Sequence, residues 1–470
     1  MATNMNKPSI LLLAALLLCS QRMLAVPPAP PAPPAPPAPP DVGTMSSSSV
    51  RFCPEKRSVG DVMPFYWKGE YHVFYLLNNS GNADIDWEHA VSKDLVHWRN
   101  LPAAILHDPA DKTGPEGGCM FTGSIIEHNG TFHAFYTSWN PENPAGREFV
   151  CHATSKDLIS WTKQPKDMFG PDGTHYANHR ERDFRDPCVV WDPEQKQFVM
   201  YVNANQPGIG GFVFGHLTSP DLKQWQQHPA LENIPGDECP DFFQSGETYY
   251  MHGCNVYAFA KNASGPWKFP SYNRVDRRMA AKRVFDGKRH VWFGGWLNGP
   301  MSIPREVYEG PDGLLFMKPV PEVVSIFSES ALSISNILLE PGIAVTKEVP
   351  QEYLLEATVD MSKGREFGLS VRGDGIADAC RIVLSAEKRS LMTLGGQSLE
   401  SRPLPIDFTR PVSIQAFILG GIAEVFVNSQ YAATFFIRPA GRTLGLESRG
   451  TVVIRSLHVR TTATLNPPKP

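Results

Sequence analysis

Three passages of the chain read alike: Ser92-Lys93-Asp94-Leu95-Val96-His97-Trp98, Ser155-Lys156-Asp157-Leu158-Ile159-Ser160-Trp161 and Ser219-Pro220-Asp221-Leu222-Lys223-Gln224-Trp225. Their tryptophans are 63 and 64 residues apart, and a fixed period of this kind restricts the fold to an array of like units. Ahead of each lies a strand of one pattern: Tyr71-His72-Val73-Phe74-Tyr75, Phe132-His133-Ala134-Phe135-Tyr136 and Phe198-Val199-Met200-Tyr201. Tyr249-Tyr250-Met251-His252 and His290-Val291-Trp292-Phe293 read as two degraded copies, with Gly265-Pro266-Trp267 ending the fourth unit. Long units of short aromatic and β-branched strands, joined by Gly, Asn and Asp turns, are the four-stranded blades of a β-propeller. No helical period of comparable strength runs between residues 51 and 320, so the sequence predicts an all-β chain with a five-bladed propeller.

The repeat also sorts its own residues. His72 and His133 share one blade position and read as structural rather than as catalytic bases, and Trp98, Trp161 and Trp225 read as packing between blades. Past Pro319-Val320-Pro321 the period stops. Strand-like runs such as Ala423-Glu424-Val425-Phe426-Val427 and Thr451-Val452-Val453-Ile454, with turns at Gly373-Asp374-Gly375, Gly395-Gly396 and Gly420-Gly421, predict a C-terminal β-sandwich. The expected division is a propeller over 51–322, a sandwich over 323–462 and a tail over 463–470.

Ahead of the propeller, residues 1–25 read as a secretory signal: Lys7, the apolar run Ile10 to Leu18, then a small-residue end near Ala25. That run is too short to span a bilayer, and no later segment is apolar enough to do so. Residues 26–50 form a linker, a Pro-Ala repeat from Pro27 to Pro40 that favours an extended polyproline II spacer, followed by a Ser-rich stretch. The formal net charge of -4 is scattered and leaves no basic stripe, so nucleic acid is not an expected partner. Seven cysteines follow the signal without a CxxC pattern. No zinc site is expected, and an odd number leaves at least one cysteine outside any intrachain disulfide. Glycosylation sequons at Asn78, Asn129 and Asn262 suit a secreted glycoprotein.

The first strand of each propeller blade lines the central channel, so acids at matching first-strand positions converge on the axis. Asp61 precedes its patterned strand by 10 residues, Asp186 by 12 and Glu238 by 11, and each is closely followed by a proline, Pro64, Pro187 or Pro240. Proline cannot donate to a ladder, which suits a strand whose free edge faces the channel. Three converging carboxylates repel one another unless a cation or substrate compensates. Glycoside hydrolysis needs one ionised carboxylate and one protonated carboxyl. Glu238, followed by Phe242-Phe243, suits the acid, and Asp61 suits the ionised partner. Strand alternation turns Asp241 away from Glu238 and makes it a turn or blade-packing acid. Arg185 could hold substrate hydroxyls, keep Asp186 ionised, or form a salt bridge between blades. A carbohydrate-binding propeller without catalysis is the competing reading, which the complete set of three acids disfavours.

Assembled in this way, residues 51 to about 460 resemble glycoside hydrolase family 32, the invertase, inulinase and levanase group. The resemblance rests on Phe184-Arg185-Asp186-Pro187, Glu238-Cys239-Pro240-Asp241, Phe121-Thr122-Gly123-Ser124, Trp87-Glu88-His89-Ala90-Val91-Ser92 and Ile303-Pro304-Arg305-Glu306. It implies a retaining mechanism, with Asp61 as nucleophile, Glu238 as acid/base and Asp186 stabilising the transition state. Arg185, Trp87, Phe121, Thr122 and Ser124 are the implied substrate-binding residues, the substrate is sucrose or a fructan, and neither metal nor cofactor is needed. The chain departs from the family at Ser58-Val59-Gly60-Asp61-Val62-Met63-Pro64, where members carry Trp-x-Asn-Asp-Pro-Asn-Gly, and Leu76 stands where they carry Gln. Those amides grip the fructosyl ring, so the departure bears on the substrate: another furanoside, or transfer of the sugar to another acceptor, is the alternative within the enzyme class.

Overall fold

Two-residue turns shape the first two blades. Lys68-Gly69 and Asn129-Gly130 take φ of 48° and 88°, and of 52° and 71°, the backbone whose twist suits a tight hairpin. The computed structural model describes residues 50–463 apart from 55–57, 79–84, 179–181, 273, 275, 277–278, 343–344, 374–378, 395–399 and 438–440. The signal segment, the linker up to residue 49, residues 79 and 80 of the Asn78 sequon and the tail from residue 464 lie outside the described residues.

Antiparallel strands follow one another in order within each blade. Blade one holds β1 (Ser58–Trp67), β2 (Glu70–Asn78), β3 (Trp87–Ser92) and β4 (Trp98–Ile105); blade two holds β5 (Cys119–His128), β6 (Thr131–Trp139), β7 (Glu148–Ser155) and β8 (Trp161–Lys163). Blade three holds β9 (Phe184–Asp192), β10 (Gln197–Ala204), β11 (Val213–Ser219) and β12 (Gln226–His228). Blade four holds β13 (Asp241–Ser245), β14 (Thr248–His252) and β15 (Tyr257–Ala260), with Lys268 pairing to Phe259 where a fourth strand would run. Blade five holds β16 (Lys282–Phe285), β17 (His290–Phe293), β18 (Arg305–Glu309) and β19 (Leu315–Pro319).

The repeated Ser-x-Asp-Leu passages prove to be one turn built three times. Asp94 accepts the backbone N–H of Val96 and His97, Asp157 those of Ile159 and Ser160, and Asp221 those of Lys223 and Gln224, all at 2.7–3.0 Å. The adjoining Leu95, Leu158 and Leu222 take φ of 64°, 65° and 66°. A left-handed leucine costs about 1–2 kcal/mol, a cost that burial of its side chain offsets here, for all three are in the core. The tryptophan that follows crosses to the next blade. Trp161 meets Phe74 of blade one at 5.9 Å and 83°, and Trp225 meets Phe135 of blade two at 5.5 Å and 86°. Trp98 meets Phe293 of blade five at 6.0 Å and 86°, so the same edge-to-face contact closes the ring. Backbone bonds reinforce that closure: Trp296 N–H to Val59 O at 2.8 Å, Val59 N–H to Gly299 O at 2.9 Å and Met301 N–H to Phe52 O at 2.8 Å. His72 and His133 are buried against His89 and His152 at 2.9 Å, as the repeat predicts for residues with a packing role.

A short helix, α1 (Pro321–Ser325), leads to the second all-β unit. Its strands are β20 (Glu329–Leu339), β21 (Val345–Glu348), β22 (Tyr353–Gly373), β23 (Cys380–Ser385), β24 (Ser390–Leu394), β25 (Glu400–Pro403), β26 (Val412–Leu419), β27 (Ile422–Val427), β28 (Tyr431–Phe436) and β29 (Thr443–Thr461). The long β22 and β29 pair with each other through several register shifts, which let one continuous sheet fold over into a sandwich around its own core. A buried charge cluster joins the two units. Arg305 of β18 reaches Asp276 at 2.7 Å and, across the junction, Glu424 of β27 at 2.7 Å and Thr434 of β28 at 2.8 Å. Arg51 Nε donates to the same Glu424 at 2.9 Å.

Candidate active site

β-Bulges place the acids. In β1, Gly60 and Asp61 oppose a single residue of β2; in β9, Asp186 and Pro187 oppose a single residue of β10; in β5, Thr122 is the extra residue. A bulge interrupts the alternation of side chains and re-aims the residue that it carries. Here it turns Asp61 and Asp186 to one cavity and brings Thr122 against Asp61 from behind. Asp186 sits there at φ 61° and Cys239 at φ 56°, a conformation that non-glycine residues hold only when their surroundings over-determine it. The Cys239 N–H donates to Asp186 Oδ2 at 2.9 Å, and the Asp186 N–H donates to Thr137 Oγ1 at 2.8 Å. Those bonds bring the segment ahead of β13, with Glu238, against blade three.

Asp61, Asp186 and Glu238 line one cavity of about 760 Å³, together with Arg185, Glu148 and Trp296. Three donors orient the Asp61 carboxylate: the Thr122 hydroxyl, the Cys239 thiol at 3.5 Å, and the Trp296 indole N–H, which reaches Oδ1 at 2.6 Å. Trp296 can reach because Gly295, lacking a Cβ, packs directly on the Gly60 carbonyl. Arg185 spreads its guanidinium over several acids, with Nη2 on Glu238 Oε1 at 2.8 Å, Nη1 on Glu148 Oε1 at 3.0 Å and on Asp183 at 2.6 Å, and Nε 3.9 Å from Asp186.

Electrostatics separates these groups. Burial pushes the Asp186 carboxyl up to about 6, against the pull of Arg185 and with further push from Asp61. Burial also raises Glu148, while Arg185 and the Phe184 N–H draw it down. Burial alone would lower Arg185, but Glu148, Asp186 and Asp183 outweigh it and keep the guanidinium charged. A hydrogen bond to Cys254, then burial and the Asp61 charge, hold the Cys239 thiol well above its ordinary range, so it is a neutral neighbour. The cavity thus combines oriented carboxylates, one of them inclined to hold a proton, with a fixed cation and aromatic walls. That is the equipment for acid-assisted displacement at a sugar carbon.

Of the residues singled out in the sequence, Asp61, Asp186, Glu238, Arg185 and Phe121 come together in the cavity wall, and Thr122 stands just behind Asp61. Trp87 and Ser124 do not line it, which corrects the expectation that they contact substrate. Trp87 is fully buried and donates its indole N–H to the Phe121 carbonyl at 2.8 Å, steadying a residue that does face the cavity. Ser124 accepts the Val189 N–H at 2.9 Å and ties blade two to blade three farther down the channel. Asp241 packs blade four on blade five through the Arg283 N–H at 3.0 Å.

Trp139, Glu148 and Trp296 were not anticipated as cavity residues. The repeat holds a signal for two of them: Trp139 follows His133 by six residues and Trp296 follows His290 by six, the same blade position. Glu148 offers no such signal, because only the packing of blade two on blade three brings it to Arg185.

Residues 53–289 match the sequence model for the glycosyl hydrolases family 32 N-terminal domain. The chain belongs to glycoside hydrolase family 32. It is 27% identical over 451 residues to sucrose-6-phosphate hydrolase of Escherichia coli, across 83% of this chain and 89% of that protein. It is 33% identical over 261 residues to the acid beta-fructofuranosidase of Vigna radiata var. radiata, across 52% of this chain and 36% of that one. Among solved structures, fructan 1-exohydrolase IIa from Cichorium intybus superposes with a TM-score of 0.72 at 18% identity, over 88% of this chain and 96% of that one, a likeness of fold. The family 32 chain is therefore a glycoside hydrolase with a five-bladed propeller and a C-terminal sandwich.

Proposed function

We propose that this family 32 chain is a secreted, retaining β-fructofuranosidase that hydrolyses sucrose or fructans. The convergence of Asp61, Asp186 and Glu238 from blades one, three and four on one cavity carries the reading. Asp61, oriented by Trp296, Thr122 and Cys239, attacks the anomeric carbon while Glu238 protonates the leaving oxygen. The resulting fructosyl ester at Asp61 is released by water, with Glu238 now acting as base. Asp186 accepts sugar hydroxyls as charge develops on the ring. Relatives named for sucrose-6-phosphate and β-fructofuranosides, and a fructan exohydrolase of this fold crystallised with 1-kestose, support the substrate class. The signal-like residues 1–25 and the exposed turn at Asn129 support secretion and glycosylation.

A second reading has its own observation. Leu76, Leu77 and Ile85 line the cavity beside Asp61 where the family's amides would grip fructose, which favours a different furanoside or transfer of the sugar to another acceptor. Incubation with sucrose, inulin and levan separates the two: free fructose is expected, and its absence with all three would overturn the first reading. A slow 2-fluorofuranoside should label Asp61, and label at any other residue would refute that nucleophile.

A further inference from the structure

Arg185 serves two carboxylates at once. Its Nη2 bonds Glu238 Oε1 at 2.8 Å, while Nη1 bonds Glu148 Oε1 at 3.0 Å. A guanidinium this close to an acid favours the ionised form and typically draws its pKa down by about 1–3 units. A proton donor needs the reverse, so the contact that orients Glu238 works against its chemistry unless the positive charge is met elsewhere. Glu148 is placed to meet it. Its side chain is 2% exposed, its Oε2 accepts the Phe184 N–H at 2.8 Å, and it comes from β7, the start of a blade-two strand that no sequence motif marked.

We propose that Glu148 is a positioning residue for the acid/base: its carboxylate anchors the Arg185 fork through Nη1 and offsets its charge, so that Nη2 can hold Glu238 without stripping its proton. The inference rests on the reading of Glu238 as acid/base. Asp183 also meets Nη1, at 2.6 Å, and Arg147 lies beside both acids, paired with Asp183 and 3.8 Å from Glu148; Glu148 is the more buried of the two, with its side chain 2% exposed against 13%. Among the described residues, other charged groups near Glu238 are Asp186 and Asp61 across the cavity, Asp237 on its own segment, and Lys282, whose Nζ bonds the Pro240 carbonyl at 2.9 Å. The neighbouring Cys239 thiol is neutral and adds no charge. Glu148 is thus the more buried of the two described anions that meet Nη1, on the side of Arg185 opposite the Glu238 contact.

Glu148→Gln keeps the shape and removes the charge, but its single amide oxygen can accept from Arg185 or from the Phe184 N–H and not from both. The alkaline limb of the kcat/KM profile for fructoside hydrolysis should move about one pH unit lower, with a modest fall in Tm from the one lost acceptor. Glu148→Asp, which keeps the charge, should retain the wild-type limb, and Glu148→Ser, small enough to admit water, serves if the Gln variant does not fold. An isotope-edited infrared titration of Glu238, assigned by the band lost in Glu238→Gln, should show the same displacement without any substrate. Unmoved midpoints in both measurements, or a loss of activity equal at every pH together with a lower Tm, would overturn the proposal. If the wild-type protein cleaves no fructoside, the functional reading fails alone, and the titration still decides the role of Glu148.

Discussion

Arg305 and Arg185 each stand at the centre of a buried charge cluster drawn from distant parts of the chain. Around Arg305 the charges balance: two arginines, with Arg51, face two acids, Asp276 and Glu424, and the side chains of Arg305, Asp276 and Glu424 are 0% exposed. Burial pushes Asp276 upward, but Arg305 and Thr434 outweigh it and hold the carboxyl below its ordinary range. Around Arg185, among the described residues, the acids outnumber the cations. Arg147 and Arg185 face Glu148, Asp183, Asp186 and Glu238, with Asp61 close behind, and Asp186 is pushed up to about 6. A balanced cluster locks two domains together, whereas a cluster in which the described acids outnumber the cations raises the pKa of its most buried member, Asp186.

Removing either carboxylate proposed to react breaks the contrast most sharply. Asp61→Asn and Glu238→Gln should each lower kcat on the preferred fructoside by on the order of 10³-fold or more, with circular dichroism and Tm unchanged. Retained activity in either variant would show that the unbalanced cluster is not the reacting one. Next in size is the balanced cluster. Arg305→Met leaves Asp276 buried without its cation and Glu424 with Arg51 alone, a loss of about 3–5 kcal/mol, readable as a lower urea midpoint, with activity retained below the new transition.

Asp186→Asn should act in the opposite direction. The unfolded carboxyl titrates near 4 and the folded one near 6, so the native state suffers no charge penalty below both. As pH rises from about 4 through 6, the unfolded chain ionises first and native stability falls. At pH 7 the full penalty is about 3 kcal/mol. The variant, inactive or nearly so, should therefore be more stable than the wild type by about that much at pH 7 and equal to it near pH 4. Denaturant titrations at the two pH values check the sign, and a destabilised variant at pH 7 would contradict it.

The contrast also shows what a sequence can carry. The blades were legible because the Asp-capped turn, the left-handed leucine and the cross-blade tryptophan are local devices repeated at one spacing, and each leaves its residue type behind. The three acids were legible for the same reason, as they fall at matching distances from the patterned strand. Trp87 was misread because alternation inside β3 buries it, and neighbourhood in a motif does not state which face a side chain takes. Glu148 and the Arg305 cluster could not be read at all. Each depends on which blades or domains touch, and Glu424 lies more than a hundred residues from Arg305, within an apolar run that gives no sign of a buried carboxylate.

Every blade takes its strands from one continuous stretch of chain, so the ring is fastened by the clasp at Trp98, Phe293, Val59 and Trp296 rather than by a strand handed from the last blade to the first. Asp61 rides on that clasp: its own strand supplies Val59, and its hydrogen-bond donor Trp296 supplies the other half. The molecule therefore carries a fuse. Parting the first blade from the fifth would separate Asp61 from Trp296 while the other blades keep their strands, so on warming turnover is expected to fall before the circular-dichroism signal of the β-structure, and coincident losses would refute it.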